Sequence, residues 1–210
     1  MKEDILEQIF EDWLLSKNSS FTKNNVKFRP DDTSLEYNSK TDSSYSDIDI
    51  LGIHLKNKGS NRVSVGNCKS WQAGFDPKVW HRNLIKDSER KRTNRENWKY
   101  FRELVNPKWS KAFRKKIYEE TQSYDFTYYL VVTKLKGKDA LVAKNKFENE
   151  TKFLNNLKQD SKSKVKIIII TFEEIFKEYF SRTNKQTLAS TTLGRLLQVM
   201  KASDVNFKEL

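Results

Sequence analysis

Two short patterns in this 210-residue chain place charged and amide side chains at strand spacing. Asp47 and Asp49 stand two apart in Ser46-Asp47-Ile48-Asp49-Ile50-Leu51, and Asn67 and Lys69 stand two apart in Val65-Gly66-Asn67-Cys68-Lys69-Ser70-Trp71. Residues two apart on a β-strand project to the same side. The intervening Lys56-Asn57-Lys58-Gly59-Ser60-Asn61 reads as a turn, so a hairpin is the natural arrangement. It would bring Asp49 close to Asn67 and Lys69, putting an acid, an amide and an ammonium around one small volume. Either pair alone says little, since a lone Asp-x-Asp is more often a surface acid pair than a metal site. Cys68 alternates away from that volume and reads as a small buried hydrophobe. With one cysteine and two histidines in the chain, a disulfide framework, a multi-cysteine zinc site and histidine-based metal chemistry have little support. His54 and His81 read as structural or surface residues.

The elements that must position these groups follow from periodicity. Ile5, Leu6, Ile9, Phe10, Trp13 and Leu14 form one apolar stripe and predict a helix over 2–15. A polar loop is expected over 16–25, then a short strand over 25–29 halted by Pro30, then a polar run to Ser46. Strands are expected over 47–55 and 62–71, sharing one face for Asn67 and Lys69 unless Gly66 forms a bulge that shifts their register. Asp76-Pro77 suits a helix start, and the composition is mostly helical to about Thr121 with a break at Asn106-Pro107. Strands are expected over 126–134 and 165–171, the second almost uniformly β-branched. Helices are expected over 147–159, 172–180 and 191–200. The order predicts one α/β domain over residues 1–210, with a mixed sheet covered by helices and a right-handed crossover between the last two strands.

An acid in an apolar strand, followed across a hairpin by acid-x-Lys, resembles the motif of the PD-(D/E)xK nuclease superfamily. Asp49 falls at the family's aspartate and Lys69 at its lysine, and Cys68-Lys69-Ser70-Trp71 looks like the Mrr-type branch of restriction endonucleases. The family often carries a glutamate on a helix leading into the fold. Glu7 is preferred to Glu11 for that role, because at 100° per residue it lies beside Leu14 at the edge of the apolar stripe. The resemblance spans roughly residues 2–71. It implies a restriction-endonuclease-like sheet core flanked by helices, with a basic helical insertion at about 77–121.

The same resemblance implies a metal-dependent endodeoxyribonuclease serving restriction, defence or repair. Asp49, the Asn67 side chain and the Cys68 backbone carbonyl would hold Mg²⁺, with Mn²⁺ as a substitute, and Glu7 would reach it directly or through water. Lys69 would orient the attacking water or stabilise developing charge. Asp47 would act as a secondary acid, and Gln72 would contact the scissile phosphate. One residue departs from the pattern: Asn67 stands where the family has Glu, Asp or sometimes Gln. An amide still offers an oxygen to a hard cation but attracts it less than a carboxylate does. A weak-metal active variant, a shifted register, an inactivated site and a substituted residue are all compatible with it.

The net charge of +12 points to a polyanionic partner. Its placement says more: residues 78–116 hold 14 basic residues against four acids, which is +10 of the total. Arg82, Lys86, Arg90, Lys91, Arg92 and Arg95 are the candidates for contacts to a DNA backbone, where each neutralised phosphate releases counterions. The interleaved Trp80, Trp98, Tyr100, Phe101, Trp109 and Phe113 could stack on bases, but at helical spacing they read first as a buried face. Cutting both strands takes two sites, so a homodimer is expected by analogy. No small-molecule cofactor is expected. No apolar run reaches the roughly 18 residues that span a bilayer, and the acidic start lacks a signal-peptide pattern, so a cytoplasmic protein without a membrane partner is expected. Two rival functions stand beside the nuclease: a catalytically lapsed DNA-binding module of the same fold, and an unrelated basic RNA-binding protein.

Overall fold

A computed structural model of the chain describes residues 4–17 and 19–183, and the separate positions 194, 195, 198, 199, 202 and 203. The helix expected over 191–200 therefore lies largely outside the described residues. The first helix, α1 (Ile5–Leu15), begins at Asp4, whose side chain accepts the Leu6 N–H at 2.8 Å as an N-cap does. Of the predicted stripe, Leu6, Phe10, Trp13 and Leu14 are buried and Ile9 is half-buried, while Ile5 in the first turn is 71% exposed and does not join the core.

Five strands form one mixed sheet: β1 (Ser20–Phe28), β2 (Ser46–His54), β3 (Val63–Lys69), β6 (Phe126–Val132) and β7 (Val165–Thr171), hydrogen-bonded in that order. The pairs β1–β2 and β2–β3 are antiparallel, and β3–β6 and β6–β7 are parallel. This is the predicted α/β layout with a mixed sheet. The strand expected over 25–29 starts five residues earlier, inside the expected loop, because Ser20–Asn24 pairs with β2 although much of it faces water. An edge strand needs little apolar sequence, so its polar half gives no alternation to read. The hairpin of β2 and β3 is present, with Ile50 opposite Gly66 and Ile53 opposite Val63.

Helices cover both faces. Against one face lie α1 and α8 (Phe172–Thr183), enclosing Phe10, Trp13, Ile50, Cys68, Val131 and Ile175. The opposite face carries the larger core, built from Val63, Val65, Trp80, Phe101, Trp109 and Phe113 among others. It is covered by α3 (Pro77–Ile85), α4 (Arg102–Val105), α5 (Pro107–Thr121), α6 (Ala140–Glu148) and α7 (Thr151–Leu157). Asp76 caps α3 by accepting the Val79 N–H at 3.0 Å, with Pro77 at its first position. Asn106 caps α5, so the expected break at Asn106-Pro107 is real. A short helix, α2 (Ser39–Asp42), tethers the polar run 31–45 through the buried Asp42, which accepts the Trp109 Nε1–H at 3.3 Å and pairs with Lys108.

Two expectations for the helical layer fail. The basic insertion is not continuously helical: after α3 the chain forms a small hairpin, β4 (Lys91–Arg92) and β5 (Arg95–Glu96), then a 3-10 turn over Asn97–Tyr100. Thr93 and Asn94 both have positive φ, the geometry of a two-residue hairpin turn, which the charge-rich composition concealed. The helix expected over 147–159 is two helices, with Glu150 opening the second.

Gly66 is no bulge. It pairs in register with both Ile50 and Tyr129, and its missing side chain is what lets α1 approach. A Cβ there would fall 2.4 Å from the Phe10 ring. Gly66→Ala is therefore expected to destabilise the fold by about 1–3 kcal/mol, the usual cost of overpacking a tight core. Gly52→Ala, where a Leu14 methyl would lie 3.0 Å away, should cost less. Urea unfolding of the two variants checks the order.

Candidate active site

The larger core leaves a cleft of about 260 Å³ beside the hairpin. Asp47, Asp49, Asn67 and Lys69 all line it, so the four residues singled out by strand spacing do meet. The backbone accounts for this. Antiparallel pairing of β2 with β3 runs from Ile53 as far as Ile50, and Asp49 is the next residue. Its carboxylate takes over where the ladder stops, with Oδ2 accepting the Cys68 N–H at 2.5 Å. The sidedness of β2 changes at the same place: Ile48 and Leu51 pack in the larger core and Ile50 in the smaller. Asn25 in the neighbouring strand has a left-handed φ of 54°, consistent with a local twist there.

Asn67 and Lys69 project from β3 on the side of Val63 and Val65, while the Cys68 thiol packs beneath α1. Burial pushes that thiol well above its ordinary value, as a small core hydrophobe requires. The Lys69 ammonium lies 5.7 Å from the Phe101 ring centre, and Trp71 walls the cleft while stacking on Trp80 at 4.9 Å. The interleaved aromatics are indeed core: Trp80, Phe101, Trp109 and Phe113 are all buried, with Trp98 and Tyr100 packed against them.

Glu7 does not line the cleft. It stands on α1, whose N-cap Asp4 also accepts the Ser70 hydroxyl just past β3. Burial pushes Glu7 up to about 7, and the charges of Asp49, Asp4 and Asp47 add to this while Lys69 opposes it. Burial also raises Asp49 to about 6, against the pull of Lys69 and the Cys68 N–H, with Asp47 and Glu103 adding to the rise. Glu11, the alternative on the same helix, instead accepts from Thr22 and Asn24 at 2.7 and 2.9 Å and ties α1 to β1. Gln72 is exposed in the turn after β3 and does not line the cleft.

No family model, curated protein or solved structure matches the chain. What the residues can do must come from their arrangement.

Sequence reasoning missed the acid closest to Asn67. Glu103, from α4, is 3% exposed. Its Oε1 accepts the Asn67 Nδ2 at 2.9 Å and the Tyr128 hydroxyl at 2.5 Å. Three further cations, Arg95, Lys99 and Arg102, also line the cleft. Arg102 is held between Trp98 and Trp109, 5.8 and 4.2 Å from their ring centres. The only hint in the sequence was that Glu103 is one of four acids in an otherwise basic stretch. Of the six cations expected on DNA, only Arg95 lines the cleft. Arg92 and Arg95 lie over Trp80 and Tyr100 at 5.2 and 4.8 Å, which fixes the β4–β5 hairpin at the rim. Arg82 and Lys86 sit on and just after α3. His54 is buried between the hydroxyls of Ser20 and Ser64 at 2.6 and 2.8 Å, and His81 pairs with Glu150 at 2.6 Å, so both are structural.

Among the described residues no three or more His, Cys, Asp or Glu side chains gather as a metal cage. The donor set still fits a hard cation that keeps much of its water, since such ions take one or two carboxylates rather than a full protein shell. The observation in favour is Asn67 Oδ1, which is buried without a hydrogen-bond partner. A buried acceptor left open in this way is costly, and a cation or its water would satisfy it.

The two raised acids make a checkable statement about stability. Folded Glu7 and Asp49 keep protons at pH values where the unfolded chain has lost them, so their contribution to stability falls as pH rises from about 4 to about 7. Asp49→Asn removes one of these groups. In cation-free buffer its stability relative to the unsubstituted protein is therefore expected to climb across that window, by an amount on the order of 3 kcal/mol. A flat difference across thermal melts from pH 4 to about 7.5 would contradict the assignment.

Proposed function

We propose that the chain is a metal-dependent endodeoxyribonuclease built on a restriction-endonuclease-like core of the PD-(D/E)xK type. The observation that carries this reading is the convergence of Asp49, Asn67 and Lys69 in one cleft with a basic rim. The mixed sheet, with its antiparallel hairpin leading into parallel strands, supports the same reading.

Asp49, Asn67 through Oδ1 and the Cys68 carbonyl are the residues that would hold Mg²⁺ or Mn²⁺. Such an ion, when bound, supplies Lewis-acid stabilisation of the phosphate and a more acidic water. The chain does the rest. The Cys68 N–H fixes the Asp49 carboxylate, and the Lys69 ammonium sits where it can stabilise charge growing on a phosphate oxygen. Glu7 stands on α1 outside the cleft, where burial and the charges of Asp49, Asp4 and Asp47 raise it to about 7, so a role for it would run through water. Arg95, Lys99 and Arg102 face the incoming backbone, and Arg90, Lys91 and Arg92 extend the cationic surface along the hairpin. Cutting both strands would pair two copies as a homodimer.

A second reading is favoured by a specific observation: Asn67 supplies no charge, and no three-acid group forms among the described residues. The same fold would then hold DNA through the hairpin without cutting it.

Supercoiled plasmid incubated with the protein and Mg²⁺ or Mn²⁺ separates the two. Asp49→Ala and Lys69→Ala are each expected to lower cleavage at least about 100-fold while leaving DNA affinity near that of the unsubstituted chain. Binding with no cleavage by any form would leave the lapsed module. Preference for structured RNA, with DNA neither bound nor cut, would sink both readings. Independently, replacing Arg90, Lys91 and Arg92 together by Ala is expected to reduce the slope of log affinity against log salt by about one for each phosphate left un-neutralised. Fluorescence anisotropy with duplex DNA at several salt concentrations reads that slope.

A further inference from the structure

We infer that Glu103 is a positioning residue: it sets which end of the Asn67 amide is left free for a cation, and it brings a carboxylate beside the place where position 67 has none. This inference rests on the metal-dependent reading of the site. An amide has an oxygen end and a nitrogen end of nearly equal shape, and only the oxygen serves a hard cation. The neighbour decides which end is engaged and which is left without a partner. Glu103 Oε1 already receives the Tyr128 hydroxyl at 2.5 Å and receives the Asn67 Nδ2 at 2.9 Å. A carboxylate oxygen accepts and has no proton to give Asn67 Oδ1, so the amide's nitrogen is drawn toward Glu103. Its oxygen is the atom left buried and unpartnered.

The position of Glu103 is itself fixed. The Ser110 hydroxyl donates to the Glu103 carbonyl at 2.7 Å, and the Asn156 Nδ2 donates to the next carbonyl, that of Leu104, at 2.7 Å. The backbone of α4 is thereby pinned by α5 and α7, while Tyr128 holds the carboxylate from the floor of the sheet. Outer partners that orient a ligand typically change metal affinity about 10- to 100-fold when removed.

The test uses Mn²⁺ binding to the full chain by isothermal titration calorimetry, with melting temperature followed in parallel. Glu103→Gln can donate to Asn67 Oδ1 and so release the amide to turn. It is expected to weaken Mn²⁺ binding at least about 10-fold. The exchange of Asn67→Asp with Glu103→Gln keeps shape and net charge, restores the hydrogen bond with donor and acceptor interchanged, and gives position 67 two oxygens. Its Mn²⁺ affinity is expected to return to that of the starting protein or exceed it. A Glu103→Gln protein that melts lower but binds Mn²⁺ as before, while Asp49→Ala does not bind, overturns the inference and leaves the nuclease reading standing. Unchanged binding in Asp49→Ala as well overturns the metal site itself. Should Glu103→Gln fail to fold, the folded exchange variant decides, and loss of Mn²⁺ binding there counts against the inference.

Discussion

The pairing register of β2 with β3 is the constraint on which the cleft depends. Side chains alternate along a strand, so a slip of one residue would send Asp49 and Lys69 to opposite sides of the sheet. The register is held from both faces at once. Val63 and Val65 are buried in the larger core, and Gly66 must stay under Phe10 because nothing bulkier fits. The arrangement of polar groups is thus a by-product of apolar packing, and the Asp49 carboxylate bonded to the Cys68 N–H marks the point where one gives way to the other.

Around that point the charged groups lie at several depths. Glu103 is 3% exposed and Asp49 half-buried, with burial raising Asp49 and Glu7, while Asp47 is exposed. Arg95 is exposed over Tyr100 and Lys99 half-buried over Trp98, whereas Arg102 is 8% exposed between Trp98 and Trp109. Acids and cations therefore share one cleft, and each tempers the field of the other.

Much of this was legible in the chain and some was not. The spacings 47/49 and 67/69 and the turn between them forecast the hairpin and its shared face, because strand periodicity is a local property. The caps at Asp76 and Asn106 were legible for the same reason. Glu103 was not, since it reaches Asn67 across 36 residues through a four-residue helix, and no local pattern encodes that meeting. The β4–β5 hairpin hid within a run of helix-compatible cations, where its signal is the backbone conformation of Thr93 and Asn94 and not a hydrophobic period. The polar half of β1 was lost because an edge strand owes its pairing to a neighbour. Gly66 left two readings open because a glycine in a strand has two meanings, and only the partner helix tells a bulge from a close approach.

The cleft and its surroundings draw their groups from both layers of the molecule: Glu7 from the helix over the smaller core, and Glu103 and Arg102 from the larger. During synthesis the segment carrying Asp49 and Lys69 emerges well before α4, and before the β6 tyrosine that holds Glu103. A nascent or partly unfolded chain therefore lacks the full constellation until its last layers dock. Any ligand that needs all of these groups is therefore recognised by the folded chain alone, and maturation of the fold is itself the gate.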